Sequence, residues 1–228
     1  MNRITYKRPD GGECEGLLFE AAGRPRAPGL VVVQEWWGIN EQIKGVAQQY
    51  ADRGYRVLVP DLYRGKMSLD AKEAEHLMSG LDFADAAGQD IRGAVQYLKA
   101  SAPKVGVTGY CMGGALTLLS ACLVPELDAA VAWYGFPPLE YIDATKIKAP
   151  LMGHFAVRDA FFPIAQVDAL EQKLKAAGVR CEFHRYEADH AFANETNVSQ
   201  PIPIVYEPSA AQKAFDRTIG FVGRHLAA

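Results

Sequence analysis

The segment that most constrains this chain spans residues 105–121. A strand-like stretch, Val105-Gly106-Val107-Thr108, runs directly into Gly109-Tyr110-Cys111-Met112-Gly113-Gly114 and then into an apolar run over 115–121. Gly109-Tyr110-Cys111-Met112-Gly113 has the spacing of a nucleophile elbow, G-x-S-x-G, with cysteine in the serine position. Such an elbow holds one reactive side chain at a sharp turn between a buried strand and a helix. Bulk at Gly109 or Gly113 would clash with neighbouring backbone, so both flanking positions need glycine.

The remaining chain repeats the strand-then-helix pattern. Gly29-Leu30-Val31-Val32-Val33 is a short β-branched apolar run and reads as a buried strand. Asn40 can cap the next helix, where Ile43, Val46, Ala47, Tyr50 and Ala51 recur at helical spacing until Gly54. Further strands are expected over 56–59, 129–133, 150–155 and 181–186. Helices are expected over 70–80 and on the stripe Ile91, Ala94, Val95 and Leu98. Another starts at Pro163 with Val167, Leu170 and Leu174 inward, and a last one is capped by Ser209, burying Phe215, Ile219, Val222 and Leu226. Residues 193–208 hold three prolines and break the alternation, so a long surface loop is expected there. The expectation is one α/β domain over 1–228, a mostly parallel central sheet with helices on both faces.

Composition narrows the function classes. A formal net charge of −3 leaves no basic excess to neutralise phosphates, which argues against nucleic acid. The first residues lack the apolar core of a signal peptide, and no apolar run approaches the roughly 20 residues that span a bilayer. A cytoplasmic protein with no membrane contact is expected. Cys14, Cys111, Cys122 and Cys181 are scattered without a C-x-x-C pair, so neither a metal site nor a disulfide framework is expected. Cys122 and Cys181 read as small hydrophobes; the elbow sets Cys111 apart.

A cysteine nucleophile needs a base, and the base needs an orienting carboxylate. In the α/β-hydrolase arrangement the order along the chain is nucleophile, acid, histidine. Asp159 follows the strand ending near Phe155, and His190 follows the strand ending at Tyr186. Both therefore emerge at the carboxyl edge of the sheet, where ligands bind in doubly wound folds. His154 and His184 fall inside strands, while His76 and His225 fall on helices, so each has a structural role as its default. Asp189 adjoins His190 too closely to orient it and serves its turn. Oxyanion donors are expected from the backbone N–H of Met112 and of Trp36, the latter in the loop Gln34-Glu35-Trp36-Trp37-Gly38. Glu35 stands at an apolar strand end, where burial near a thiol would raise its pKa. Trp37, Tyr110, Phe161, Phe162 and Phe192 are the expected pocket residues.

With these residues in place, the chain resembles the dienelactone hydrolases (carboxymethylenebutenolidases) over nearly its whole length. The marks are Gln34-Glu35-Trp36-Trp37-Gly38-Ile39-Asn40, Pro60-Asp61-Leu62-Tyr63, the Cys111 elbow, and Asp189-His190-Ala191-Phe192. The resemblance implies a triad of Cys111, His190 and Asp159, and a Glu35 that contacts the resting thiol and takes its proton when substrate binds. It implies hydrolysis of a lactone or small ester through an acyl-enzyme, with no cofactor. One departure stands out. Members of the family hold a substrate carboxylate with arginines, one shortly after the catalytic histidine; here that region reads Ala193-Asn194, and no arginine occurs between Arg64 and Arg92. Lys72 lies nearby but is not a bidentate clamp. A broader carboxylesterase or thioesterase would use the same residues in a different pocket. A silent ligand-binding or thiol-sensing protein would carry a damaged triad or a blocked oxyanion loop, and neither is present.

Overall fold

The computed structural model describes residues 1–24, 26–196 and 202–227. Eight strands form one sheet: β1 (Asn2–Lys7), β2 (Glu13–Phe19), β3 (Gly29–Val33), β4 (Arg56–Pro60), β5 (Val105–Tyr110), β6 (Ala129–Trp133), β7 (Leu151–Ala156) and β8 (Cys181–Tyr186). Their order is β1-β2-β4-β3-β5-β6-β7-β8. From β4 to β8 every pairing is parallel, while β1 and β2 add an antiparallel edge. β3, β5, β6 and β7 are buried along their whole length, which is why they read as nearly continuous apolar runs, broken only by Thr108 and His154, rather than alternating ones.

Helices cover both faces. α1 (Glu41–Asp52) and α7 (Pro208–Leu226) pack on one side, where Ile43, Ala47, Tyr50, Ala214, Phe221 and Leu226 share a core with Leu30, Val32 and Val131. α4 (Arg92–Lys99), α5 (Met112–Leu123) and α6 (Ile164–Ala176) pack on the other, with Leu98, Leu116 and Leu170 against Val31, Val107 and Ala130. A single turn, α3 (Phe83–Asp85), leads through a π-helical segment (Ala86–Ile91) into α4. α2 (Ala71–Ser79) buries Ala74 alone. The Asn40 side chain accepts the Ile43 N–H and caps α1 as expected, and Asp70 caps α2 by accepting from Glu73 N–H.

Three sequence expectations need correction. Ser209 does not cap α7: the helix begins at Pro208, with Glu207 in the cap position and no side-chain cap bond. Proline suits the first helical position because it has no N–H to leave unpaired and its φ is already set. The inward stripe of α7 is also rotated. Ala210, Ala214, Thr218, Phe221, Val222 and Leu226 are buried, and Phe215 and Ile219 are only partly so. The expected loop over 193–208 ends at Glu207, and its residues 197–201 lie outside the described residues. Among the described residues no helix is long and apolar enough to cross a membrane, and all four cysteines are free.

Candidate active site

β5 ends at Tyr110 and α5 begins at Met112, so Cys111 alone makes the turn, at φ 54° and ψ −115°. A non-glycine residue held there stores about 1–3 kcal/mol of strain. Close backbone packing imposes it. A Cβ on Gly109 would lie 2.1 Å from Gly113 O, and one on Gly113 would lie 2.5 Å from Val33 O. A third approach comes from the loop after β6, where a Cβ on Gly135 would lie 2.0 Å from Cys111 O.

The loops after β7 and β8 bring two more groups to this point. His190 Nε2 lies 3.2 Å from Cys111 Sγ, and His190 Nδ1 lies 2.8 Å from Asp159 Oδ2. The second carboxylate oxygen, Oδ1, accepts the backbone N–H of Phe161 at 2.8 Å and of Phe162 at 2.9 Å, which locks the carboxylate plane. Asp189 turns away and accepts from Arg158. Both His190 and Asp159 are buried. The imidazole is wedged among aromatic rings, stacked on Phe162 and edge-on to Phe161 and Tyr134. Burial alone would lower the His190 pKa. Its interactions with the Cys111 sulfur and the Asp159 carboxylate outweigh burial and push it up to about 10.

Glu35 is buried beside this group. Its Oε1 accepts from the Tyr134 hydroxyl at 3.1 Å and its Oε2 from Asn194 Nδ2 at 2.7 Å. Burial raises its pKa, opposed by the Asn194 bond, the His190 charge and the Tyr134 bond. The hydrogen-bond partner of the thiol is therefore His190, where the family resemblance implied Glu35. Glu35 instead ties the β3 loop to the loops after β6 and β8.

Above the thiol opens a cavity of roughly 710 Å³. Trp36 and Trp37, packed edge to face, form one wall; Phe136, Phe161 and Phe162 form another. Met78, Phe83, Ile202 and Ile204 extend the apolar lining. Trp36 and Met112 both border it beside Cys111, and the Met112 amide belongs to the first turn of α5, where amides have no intrahelical acceptor. Met112 Sδ accepts from the Tyr63 hydroxyl at 3.3 Å, which anchors the elbow to the β4 loop.

Tyr110 and Phe192, expected in the pocket, do not line it. Tyr110 is the last strand residue before the turn and points to the opposite face of the sheet, stacked on Trp133 with its hydroxyl 3.0 Å from Tyr50 Oη. Phe192 is fully buried against Trp133, Tyr134 and Tyr186. Of the other histidines, His154 is a core residue bonded to Tyr186 and Thr218, and burial holds its pKa well below the usual value. Sequence reasoning missed Tyr134, Phe136 and Asn194 as site residues. Tyr134 and Phe136 follow β6 at the same carboxyl edge that singled out Asp159 and His190, so the same edge rule could have found them.

The profile of the dienelactone hydrolase family matches residues 14–226. "Protein usf" of Aquifex pyrophilus is 34% identical over 99% of this chain and 100% of its own length. A protein of Aquifex aeolicus (strain VF5) named "Putative carboxymethylenebutenolidase" is 30% identical over the same shares. The crystal structure of a "Putative Dienelactone Hydrolase" from Klebsiella pneumoniae subsp. pneumoniae MGH 78578 superposes with a TM-score of 0.84 at 26% identity, covering 98% of each chain.

Proposed function

The chain belongs to the dienelactone hydrolase family and is a hydrolase of esters, and from that premise we propose that it cleaves a lactone or small carboxylic ester through an acyl-enzyme on Cys111. The observation that carries this reading is the continuous line from Asp159 through His190 to the Cys111 sulfur at the floor of an apolar cavity.

His190 holds its proton at neutral pH, so it donates Nδ1–H to Asp159 and Nε2–H to the sulfur. The sulfur attacks the ester carbonyl carbon and a C–S bond forms. The carbonyl oxygen takes up the electron pair and rests on the Met112 and Trp36 amides, with the positive end of α5 behind it. Collapse of this intermediate breaks the C–O bond, and the leaving oxygen takes the Nε2 proton. His190, now neutral, removes a proton from water as the water adds to the thioester. The C–S bond then breaks, the carboxylic acid leaves, and Nε2 keeps the proton taken from water, so His190 and the sulfur regain their starting state. In a lactone the alcohol produced by the first step stays joined to the acyl group.

Cys111→Ala tests the reading. The elbow accepts a smaller side chain, so the variant should keep its fold and lose turnover of an activated ester. Cleavage at the wild-type rate by the pure variant would refute a cysteine mechanism.

A further inference from the structure

The charges around the cavity speak to what the proposed ester-cleaving site admits. Apart from His190, which is already engaged by Asp159 and the Cys111 sulfur, the cavity's one basic side chain among the described residues is Lys72, exposed on α2. Glu75, three residues along the same helix, also borders the cavity, so the rim carries no net charge. At the floor His190 is held between Asp159 and the Cys111 sulfur, and Glu35 stands beside it bonded to Tyr134 and Asn194, so no unpaired cation meets an incoming anion there. Nearby arginines are engaged elsewhere. Arg64 makes two 2.9 Å bonds to the buried Asp90 and a third contact to Cys14, and Arg158 pairs with Glu187 and Asp189. No guanidinium is presented to the cavity among the described residues.

From this we infer that the site selects an uncharged, ring-bearing ester or lactone and rejects one that carries a free carboxylate. The inference rests on the ester-hydrolase reading of the site and deepens it. A flat apolar group entering this lining packs on the Trp36–Trp37 and Phe136–Phe162 rings and displaces water from aromatic surface. A carboxylate entering the same space gives up its hydration and finds no bidentate donor in return. The loss of paired charge-assisted hydrogen bonds corresponds to roughly a hundredfold in affinity.

The test measures binding rather than cleavage, so it stands apart from the identity of the nucleophile. Two inert amides on one scaffold serve as probes, N-(para-methylbenzyl)acetamide and para-(acetamidomethyl)benzoate, titrated calorimetrically into the full chain. The neutral amide is expected to bind at least about tenfold more tightly. A smaller ratio, or a reversed one, would overturn the inference. Glu75→Arg adds a guanidinium to the exposed rim and is expected to narrow the ratio by about tenfold or more. An unchanged ratio in that variant would mean that the cavity does not discriminate by charge, and would also overturn it. If the ratio holds while Cys111 never becomes acylated, the proposed mechanism fails and the cavity preference survives.

Discussion

Replacing Asp159 by asparagine perturbs the site at one atom. Asp159 Oδ1 accepts two backbone amides, Phe161 N–H and Phe162 N–H. An asparagine must keep its carbonyl oxygen there, which turns its NH₂ toward His190 Nδ1. Nδ1 then has to accept a hydrogen bond, so the neutral ring carries its proton on Nε2, facing the sulfur. That tautomer cannot take a proton from water at Nε2 during deacylation. The change also removes the carboxylate that stabilises the imidazolium at 2.8 Å. One charge-assisted hydrogen bond contributes about 1.5–3 kcal/mol, which is about ten- to a hundredfold in rate at about 1.4 kcal/mol per tenfold. With the wrong tautomer added, the loss rises toward about 10⁴-fold, the scale known for this change in serine triads. Stopped-flow single turnovers with para-nitrophenyl acetate measure it, with near-ultraviolet circular dichroism to confirm an intact fold. Asp189→Asn is the control, since Asp189 pairs with Arg158 and not with the imidazole. A nearly unaffected Asp159→Asn, or a crippled Asp189→Asn, would show that Asp159 does not orient His190.

Gly135→Ala drives a Cβ to 2.0 Å from Cys111 O, and only backbone can yield there. It should cost about 1–3 kcal/mol in urea denaturation and displace the elbow enough to abolish turnover; wild-type stability would contradict the close approach. Arg64→Ala leaves the buried Asp90 with Arg8 as its remaining ion-pair partner, at 3.3 Å. A loss of about 3 kcal/mol is expected, read from the denaturation midpoint, with esterase activity of the folded protein retained. The raised His190 pKa gives stability that is fully present below the unfolded value near 6.5 and is lost as pH climbs through about 10. Thermal melts of wild type and His190→Gln across that window should converge at alkaline pH; a gap that widened would contradict the assignment.

The strands β3 to β7 were legible because short apolar runs bounded by turns have few other ways to fold, and β8, only partly buried, was legible from its place after the helix ending near Gly178. The edge hairpin β1–β2 went unread. Its residues alternate with exposed polar side chains, as in Asn2–Lys7, and apolar content alone does not mark them. A turn signal was nonetheless there: Asp10-Gly11, where Gly11 has φ 88° and the amides of Arg8 and Gly11 close the turn. The meeting of Cys111, Asp159 and His190 at one point was legible through motif, chain order and sheet edge. The partners of Glu35 were not, since Tyr134 and Asn194 lie 99 and 159 residues away from it in sequence. Tyr110 and Phe192 misled because proximity in sequence to Cys111 and His190 says nothing about facing. A sharp turn sends consecutive side chains to opposite sides of the sheet.

In the proposed reaction Cys111 carries the acyl group. Rapid acid quenching after mixing the protein with para-nitrophenyl acetate, followed by intact mass and peptide mapping, tests it directly. One acetyl group per chain is expected, mapped to the peptide containing Cys111, formed in a burst with para-nitrophenol and absent from Cys111→Ala. Turnover that proceeds with no adduct, or with the acetyl group on Cys14, Cys122, Cys181 or a serine, would contradict it.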